Sequence, residues 1–330
     1  MNHELTELLT RLVQVGQVSE SDVLELRDAV WTDEPLSQPL VDSLFSVNDH
    51  CKTYSASWTD FLIEVVEHYL LNQNPPQGFI DDAGAGWLRA RVDKNGRVTS
   101  QTEIELLVSI LETAENAPDA LKNYALTQIE ATIAFGEGPT RSGDMVRPNC
   151  VDDAEVKLLR RLVFAGGGED AAIVGAKEAD LLFRIKDRAL GNDNAPSWLP
   201  LFVQGVGNHF MAHSDYRPLS YDEAARFQTD MDIITPNIAG FFKRMVPNDM
   251  IGKGTIVDAF KAVFPKQRDA NAKKMAIDNS HLITNEEAAW LKAHIAADGQ
   301  TDEYEQALLT FIIDESGNGP AILESIRLRA

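Results

Sequence analysis

The sequence predicts an all-α protein built as a tandem duplication, in which a helical unit made of degenerate helix pairs occurs twice. Apolar residues recur at helical spacing along the 330 residues, and no alternation long enough for a sheet strand occurs. The stretch WLRARVDKNGRVT at 87–99 returns as WLKAHIAADGQTDEY at 290–304, an offset of 203 positions from Trp87 to Trp290. Similarity at a fixed offset is typical of a repeated structural unit.

The first half contains a series of apolar runs, and each run predicts a helix with one buried face. Gly16 is expected to end the first helix, and Ser19, with Asp22 three residues later, is expected to cap the second. Ser57 is expected to cap a long helix, and Pro118 is expected to open a last one. The predicted buried positions include Leu12, Leu26, Leu44, Phe61 and Leu107.

The second half repeats the order of the first with an offset that grows from 133 to 140 across turns, where insertions cost little. The matched positions are Arg27 with Arg160, Phe45 with Phe183, Trp58 with Trp198, and Tyr69 with His209. We therefore predict a first helical unit at 1–140, a linker at 141–150 and a second helical unit at 151–330. Tryptophans that recur at equivalent places are expected to anchor the two cores.

A basic helical insert at about 214–280 is the one feature that the first half lacks. Residues 236–277 hold 8 Lys and Arg against 3 Asp and Glu, whereas residues 1–140 hold 8 against 23. Opposite charges attract, so the insert is expected either to pack on its own acidic body or to present a positive face to a partner. The sequence leaves both possibilities open.

The overall charge narrows the classes of partner. The net charge of −21 disfavours nucleic acid and anionic membranes as general partners. No apolar run approaches the roughly 18 residues that a membrane helix needs. The acidic, amphipathic N-terminus is unlike a signal peptide, so we expect a cytoplasmic protein.

Four turns share one design, a polar pair followed by an aliphatic residue or Thr, and they carry a resemblance to a known family. Two of them are the turns at 95–99 and 298–302, and the others are at 33–37 and 170–173. The design resembles the D-G-x-[IV]-[ST] turn of EF-hands and of the TerB-like tellurite-resistance helical family. The resemblance covers the turns and their flanking helices. It implies an all-helical, EF-hand-like fold and a stress-linked, regulatory role.

The EF-hand resemblance raises the question of calcium. With Gly299 at the sixth position of a loop, the available carboxylates are Asp298, Asp302 and Glu305, which are too few for tight binding. Asn95 and Gly96 belong to a loop that lacks a closing carboxylate. We expect these turns to join helices, with low-affinity divalent binding at Asp298, Asp302 and Glu305 as the alternative. No other cofactor is expected.

A second candidate site lies in the segment HFMAH. His209 and His213 stand four residues apart on a predicted helix, with Asp215 shortly after, and two imidazoles on one helical face can bind a transition metal. The duplication favours another interpretation, because His209 takes the place of Tyr69 on an apolar stripe. A half-buried core histidine explains that position without a metal.

Two candidate functions remain. The first is a non-catalytic cytoplasmic interaction or regulatory protein with a protein partner, stress-linked as the TerB-like resemblance implies. The second is a metal-dependent hydrolase-type enzyme centred on His209, His213 and Asp215. The lack of a catalytic constellation with specific spacing favours the first.

Overall fold

The structure, a computed structural model, describes residues 3–32, 34–73, 75–141, 146–165, 174–211, 285–295 and 301–316. Across that part of the chain it confirms the all-α class, with twelve α-helices and two strands of two residues each. These residues form two compact units. The first unit contains 3–128 and 138–141, and the second contains 129–137 and the described residues from 146 onward.

The helices of the first unit lie close to the apolar runs that predicted them. They are α1 (His3–Val15), α2 (Glu20–Val30), α3 (Gln38–His50), α4 (Ala56–Glu67), α5 (Asp82–Val92) and α6 (Gln101–Thr113). A π-helical turn, His68–Asn72, continues α4. The strands β1 (Gln17–Val18) and β2 (Thr53–Tyr54) pair in parallel between the helices.

The helices of the second unit are α8 (Asp153–Val163), α9 (Ala176–Ala189), α10 (Trp198–Met211), α11 (Asn285–Ile295) and α12 (Glu303–Ser316). Helix α10 packs against α8, α9 and α12. In the sequence, α7 (Asp119–Phe135) comes after α6 and before α8. It belongs to the first unit up to Gln128 and to the second from Ile129. No helix in the described ranges is long and apolar enough to cross a membrane.

Helix α2 starts where the sequence predicts, whereas the start of α4 differs from its prediction. Ser19 caps α2 as predicted, and Asp22 completes a reciprocal capping box. Helix α4, however, begins at Ala56 with Ser55 in the cap position. Ser57 lies in the first turn and donates its hydroxyl hydrogen to the Glu20 carboxylate on α2. Ser57, the predicted cap, therefore links α2 to α4 and does not cap the start of α4.

The four recurring tryptophans divide into one buried pair and one partly exposed pair. Trp58 and Trp198 are fully buried at the centres of their units. Trp87 and Trp290 are partly exposed. Each of the latter packs edge-on against an equivalent phenylalanine, Phe45 at 5.8 Å and 78° in the first unit and Phe183 at 5.6 Å and 72° in the second.

Polar contacts also recur at positions that the sequence matched. Ser57 donates to Glu20 in the first unit, and Ser197 donates to Asp153 in the second. Arg27 pairs with Glu64, and Arg160 hydrogen-bonds to Gln204. Both sets join matched helices, α2 to α4 in the first unit and, in the second, α8 to α10 and the residue directly before it. These repeated contacts favour the duplication, which stays a prediction, as do the unit boundaries at 140 and 151.

Several predicted features lie wholly or partly outside the described residues. The basic insert at about 214–280 lies entirely outside them. The predicted linker at 141–150 includes four such residues, 142–145, and the turn at 170–173 is also outside them.

Candidate functional site

The turn before α12 brings two of the predicted calcium ligands together. Asp302 is the cap of α12 and Glu305 is its third residue, and each side chain accepts a hydrogen bond from the other's backbone N–H, at 2.9 and 3.1 Å. This reciprocal arrangement satisfies two N–H groups that a helix start leaves open. The third predicted ligand, Asp298, lies outside the described residues.

A lysine from α9 fills the space between these carboxylates. The Lys186 ammonium lies 2.7 Å from Glu305 Oε1, 2.7 Å from Asp302 Oδ2 and 2.7 Å from Asp187 Oδ1. The side chains of Lys186 and Glu305 are each only 3% exposed. The ammonium therefore has three carboxylate partners, and two of them, Asp302 and Glu305, are predicted calcium ligands.

Burial and pairing act in opposite directions on the pKa of Lys186. Burial of the ammonium lowers this pKa, but the hydrogen bonds to Asp187, Asp302 and Glu305 outweigh that effect and raise it above its usual value. Burial raises the pKa of Glu305, and the Lys186 ammonium opposes that rise. The ion pairs therefore favour the charged form of Lys186, and this lysine links α9 to α12.

In the first unit, the glutamate that corresponds to Glu305 lies farther from its lysine partner. Glu103 is the third residue of α6 and forms a capping box with Ser100. Its side chain is 1% exposed, and the Lys94 ammonium lies 4.0 Å away while also contacting Asp49 at 2.8 Å. Burial is the main cause that raises the pKa of Glu103. With the one-residue slip in the repeat, Glu103 matches Glu305.

The turn at 95–99 is held by hydrogen bonds within the protein. Asn95 and Gly96 both have positive φ, at 60° and 87°. The Asp93 carboxylate accepts the Gly96 N–H, and the Gln128 side chain accepts from Val98 N–H at 2.9 Å and donates to the Gly96 carbonyl at 3.3 Å. These contacts are those of a turn that joins α5 to α6.

His209 is placed on α10 within an aromatic cluster. Its Nδ1 lies 2.8 Å from the Val174 carbonyl oxygen, and its ring lies 5.5 Å from the Trp290 ring and 5.4 Å from the Phe210 ring. The other two residues of this candidate site, His213 and Asp215, lie outside the described residues. Among the residues that the structure describes, no three His, Cys, Asp or Glu side chains are grouped so as to hold a metal.

A cleft in the first unit was not anticipated from the sequence. It has a volume of about 240 Å³ and lies between the start of α3, the π-helical turn after α4 and the first turns of α5. Its aromatic walls are Tyr69, Phe79 and Trp87, all partly exposed. It is also lined by Gln38, Leu70, Ile80, Asp81, Ala83 and Gly84.

Asp42 fixes the indole that forms one wall of this cleft. The Trp87 Nε1–H donates to Asp42 Oδ1 at 3.0 Å. Arg91 donates to both oxygens of the same carboxylate, at 2.6 and 2.9 Å. The Arg91 hydrogen bonds are the main reason that the pKa of Asp42 lies below its usual value. The carboxylate therefore stays ionised and holds Trp87 in place.

Nothing in the local sequence marks the cleft, because its lining comes from three separate stretches between residues 38 and 87. Tyr69 and Trp87 were recognised only as members of the apolar stripe and of the repeat. The TerB-like and EF-hand-like resemblance, which covers the turns and their flanking helices, stays a prediction. A comparison of the chain with protein-family models, curated proteins and solved structures finds no match.

Proposed function

We propose that this chain is a non-catalytic cytoplasmic protein that acts by binding a protein partner. One observation carries the proposal: three of the side chains that the sequence marks for chemistry, Asp302, Glu305 and His209, lie in the described part of the chain, and each is engaged in the fold. Asp302 and Glu305 hold the Lys186 ammonium, and His209 is tied to the Val174 carbonyl. A catalytic acid or base instead needs room to reach a substrate.

The charge distribution supports a partner with a basic surface. Residues 1–140 carry 23 Asp and Glu against 8 Lys and Arg. Complementary charge raises the rate of encounter with a partner and selects against partners of like charge. The TerB-like resemblance adds a stress-linked, regulatory role to this proposal.

The alternative, a metal-dependent hydrolase, depends on His209, His213 and Asp215 acting together. Of these three, only His209 belongs to the described part of the chain, and its Nδ1 is already bonded to a carbonyl. No observation in the described residues favours this alternative over partner binding.

The experiment that tests the proposal identifies the partner and then measures its affinity. Cross-linking in the source cell followed by mass spectrometry names the partner, which is then purified and titrated into the full chain at low, physiological and high salt. We expect saturable binding that weakens as salt increases, because screening reduces attraction between exposed charges. The variants His209→Gln and His213→Ala should bind the partner as the wild type does.

Metal content distinguishes the alternative. We expect purified protein to hold no stoichiometric zinc, iron or manganese, and calorimetry to give a calcium Kd on the order of 10⁻⁴–10⁻³ M or weaker. A transition metal bound at one per chain, lost together with hydrolytic activity in His213→Ala, would overturn the proposal. A micromolar calcium site lost in Glu305→Gln would show that Asp302 and Glu305 bind calcium.

A further inference from the structure

We propose that the cleft beside Trp87 receives a basic side chain, an alkylammonium or guanidinium group, from the protein partner. This inference rests on the proposed function, since it names the chemistry by which a partner is recognised. It commits to one occupant because the described residues of the lining combine aromatic rings with a carboxylate and include no Lys or Arg.

The aromatic walls supply the first part of the recognition. The Tyr69 and Trp87 rings lie 5.2 Å apart at 58° to each other, and Phe79 adds a third ring to the lining. Aromatic faces attract cations through their quadrupole, and Trp is the strongest of the three ring types. The protein already uses this attraction, because the Arg91 guanidinium lies 6.0 Å from the Trp87 ring centroid.

Asp81 supplies the second part, a negative charge within the lining. Nine described residues line the cleft, and Asp81 is the only charged one among them. Its Oδ1 accepts the Gly84 N–H at 2.7 Å, which caps α5, and a carboxylate has further lone pairs for an incoming donor. Asp81 forms no ion pair within the described ranges, whereas the nearby Asp42 is matched by Arg91. An incoming cation therefore meets a carboxylate that has no ion-pair partner among the described residues.

The second unit has a larger and more deeply buried side chain at the position that the predicted repeat matches with Leu70. At the offset of 140 that matches Tyr69 with His209, Leu70 matches Phe210. The Phe210 side chain is 1% exposed and packs on Trp290 with ring centroids 5.5 Å apart. Leu70 is smaller, is partly exposed and lines the cleft. The substitution Leu70→Phe is therefore a rational way to fill the cleft.

The test uses the full chain and small probes of defined charge. Indole N–H signals of ¹⁵N-labelled protein are followed by NMR, with the Trp87 signal assigned from Trp87→Phe. The probes are the N-acetyl methylamides of lysine, of Nε-trimethyl-lysine and of Nε-acetyl-lysine. The first two are cations and the third is neutral with a similar stem. Leu70→Phe is compared with Leu24→Phe, a matched change at a leucine that is 65% exposed elsewhere in the first unit.

We expect the two cationic probes to shift the Trp87 signal saturably, with Kd on the order of 1–10 mM, as one cation–π contact plus one carboxylate would give. The neutral probe should produce no saturable shift. Leu70→Phe should weaken binding of the cationic probes at least tenfold, and Leu24→Phe should leave it unchanged. Asp81→Asn, which preserves the cap of α5, should weaken it several-fold.

Equal shifts with the neutral probe, or wild-type binding by both Leu70→Phe and Asp81→Asn, would overturn the inference. If the remaining indole signals show that Leu70→Phe is misfolded, the Asp81→Asn comparison decides alone. A purified partner that binds Leu70→Phe as tightly as the wild type also overturns the cleft assignment and leaves the proposed function intact. Absence of any partner for the wild type would instead remove the proposed function.

Discussion

Asn48 and Lys186 occupy matched core positions, but their side chains form different hydrogen bonds in the two units. At the offset of 138 that matches Phe45 with Phe183, Asn48 matches Lys186. In the first unit Asn48 Oδ1 accepts the Trp58 indole N–H at 3.1 Å. In the second unit Lys186 turns to Glu305, and the buried Trp198 indole N–H has no hydrogen-bond partner within the described part of the chain.

The two buried indoles should therefore respond differently to the same substitution. Trp58→Phe leaves Asn48 Oδ1 buried and unpaired, whereas Trp198→Phe removes a donor that has no partner among the residues that the structure describes. Since an unsatisfied buried polar group costs about 1–3 kcal/mol, Trp58→Phe should destabilise its unit by that much more than Trp198→Phe does. Urea unfolding with hydrogen exchange measured separately in α4 and α10 checks this. An equal or greater cost for Trp198→Phe would contradict it.

Glu103 should make the stability of the first unit depend on pH. Because its pKa is raised in the folded state, the folded protein holds this proton more tightly than the unfolded chain does. Its contribution to stability is therefore lost as pH rises from the ordinary value of 4.5 through the raised folded value. Glu103→Gln keeps the capping box and removes the charge.

The measurement is urea unfolding of wild type and Glu103→Gln across this pH range. We expect the variant to gain stability relative to wild type as pH rises, by about 1.4 kcal/mol for each unit by which the pKa is raised. Glu25→Gln, at a side chain that is 60% exposed, serves as the control. A difference between wild type and Glu103→Gln that stays constant with pH would contradict the role of Glu103.

At the scale of elements, the contact between α8 and α10 differs from its counterpart between α2 and α4. Arg27 faces the carboxylate of Glu64, but Arg160 faces the amide of Gln204, whose side chain is buried. Burial without an acidic partner lowers the pKa of Arg160. The α8–α10 contact therefore holds a partly buried guanidinium whose hydrogen-bond acceptor within the described ranges is a neutral amide.

Gln204→Glu should strengthen this contact. The folded protein already bears the free-energy cost of burying the Arg160 guanidinium, and Gln204→Glu gives that cation a charged acceptor. We therefore expect the second unit to be stabilised by about 1 kcal/mol at neutral pH. The gain should disappear at acidic pH as the new carboxyl is protonated. Thermal unfolding checks both expectations, with Glu64→Gln as the converse change in the first unit. Destabilisation by Gln204→Glu at neutral pH would contradict them.

The helices themselves could be predicted from sequence because their signals are local. Leu5, Leu8, Leu9 and Leu12 predicted α1, and all four are buried. Ser19 and Asp22 predicted the start of α2. Ser57 was wrongly predicted as a cap because its partner, Glu20, is 37 residues away in sequence. A cap motif is visible in one stretch of sequence, whereas competition from a distant carboxylate is not.

The candidate site could be predicted only in part for the same reason. The carboxylates of Asp302 and Glu305 were identified as neighbours, and they do lie together. Their partner Lys186 lies 119 residues before Glu305, so no spacing rule connects them. The cleft beside Trp87 has no sequence signal at all, because an empty volume depends on how three segments pack.

At the scale of the whole molecule, the dominant feature is the net charge of −21 over 330 residues. An excess of one sign repels itself and opposes the compact state, and added salt screens that repulsion. We expect the thermal midpoint to rise by several degrees as sodium chloride is increased from about 0.01 M to 0.3 M. Calorimetry with choline chloride as a second salt checks that the effect is one of ionic strength. A midpoint that falls with both salts would contradict it.

The Lys186 cluster has a consequence for how this protein can change over generations. Loss of Lys186 alone would strand buried carboxylates, at a cost of about 3–5 kcal/mol, which is a large part of the stability of a typical domain. Loss of Glu305 alone would remove one of the three carboxylates that hold a buried ammonium. We therefore expect positions 186 and 305 to covary among homologues of this sequence. A change to the arrangement of the first unit, which has Asn48 in place of the lysine, should require paired substitutions.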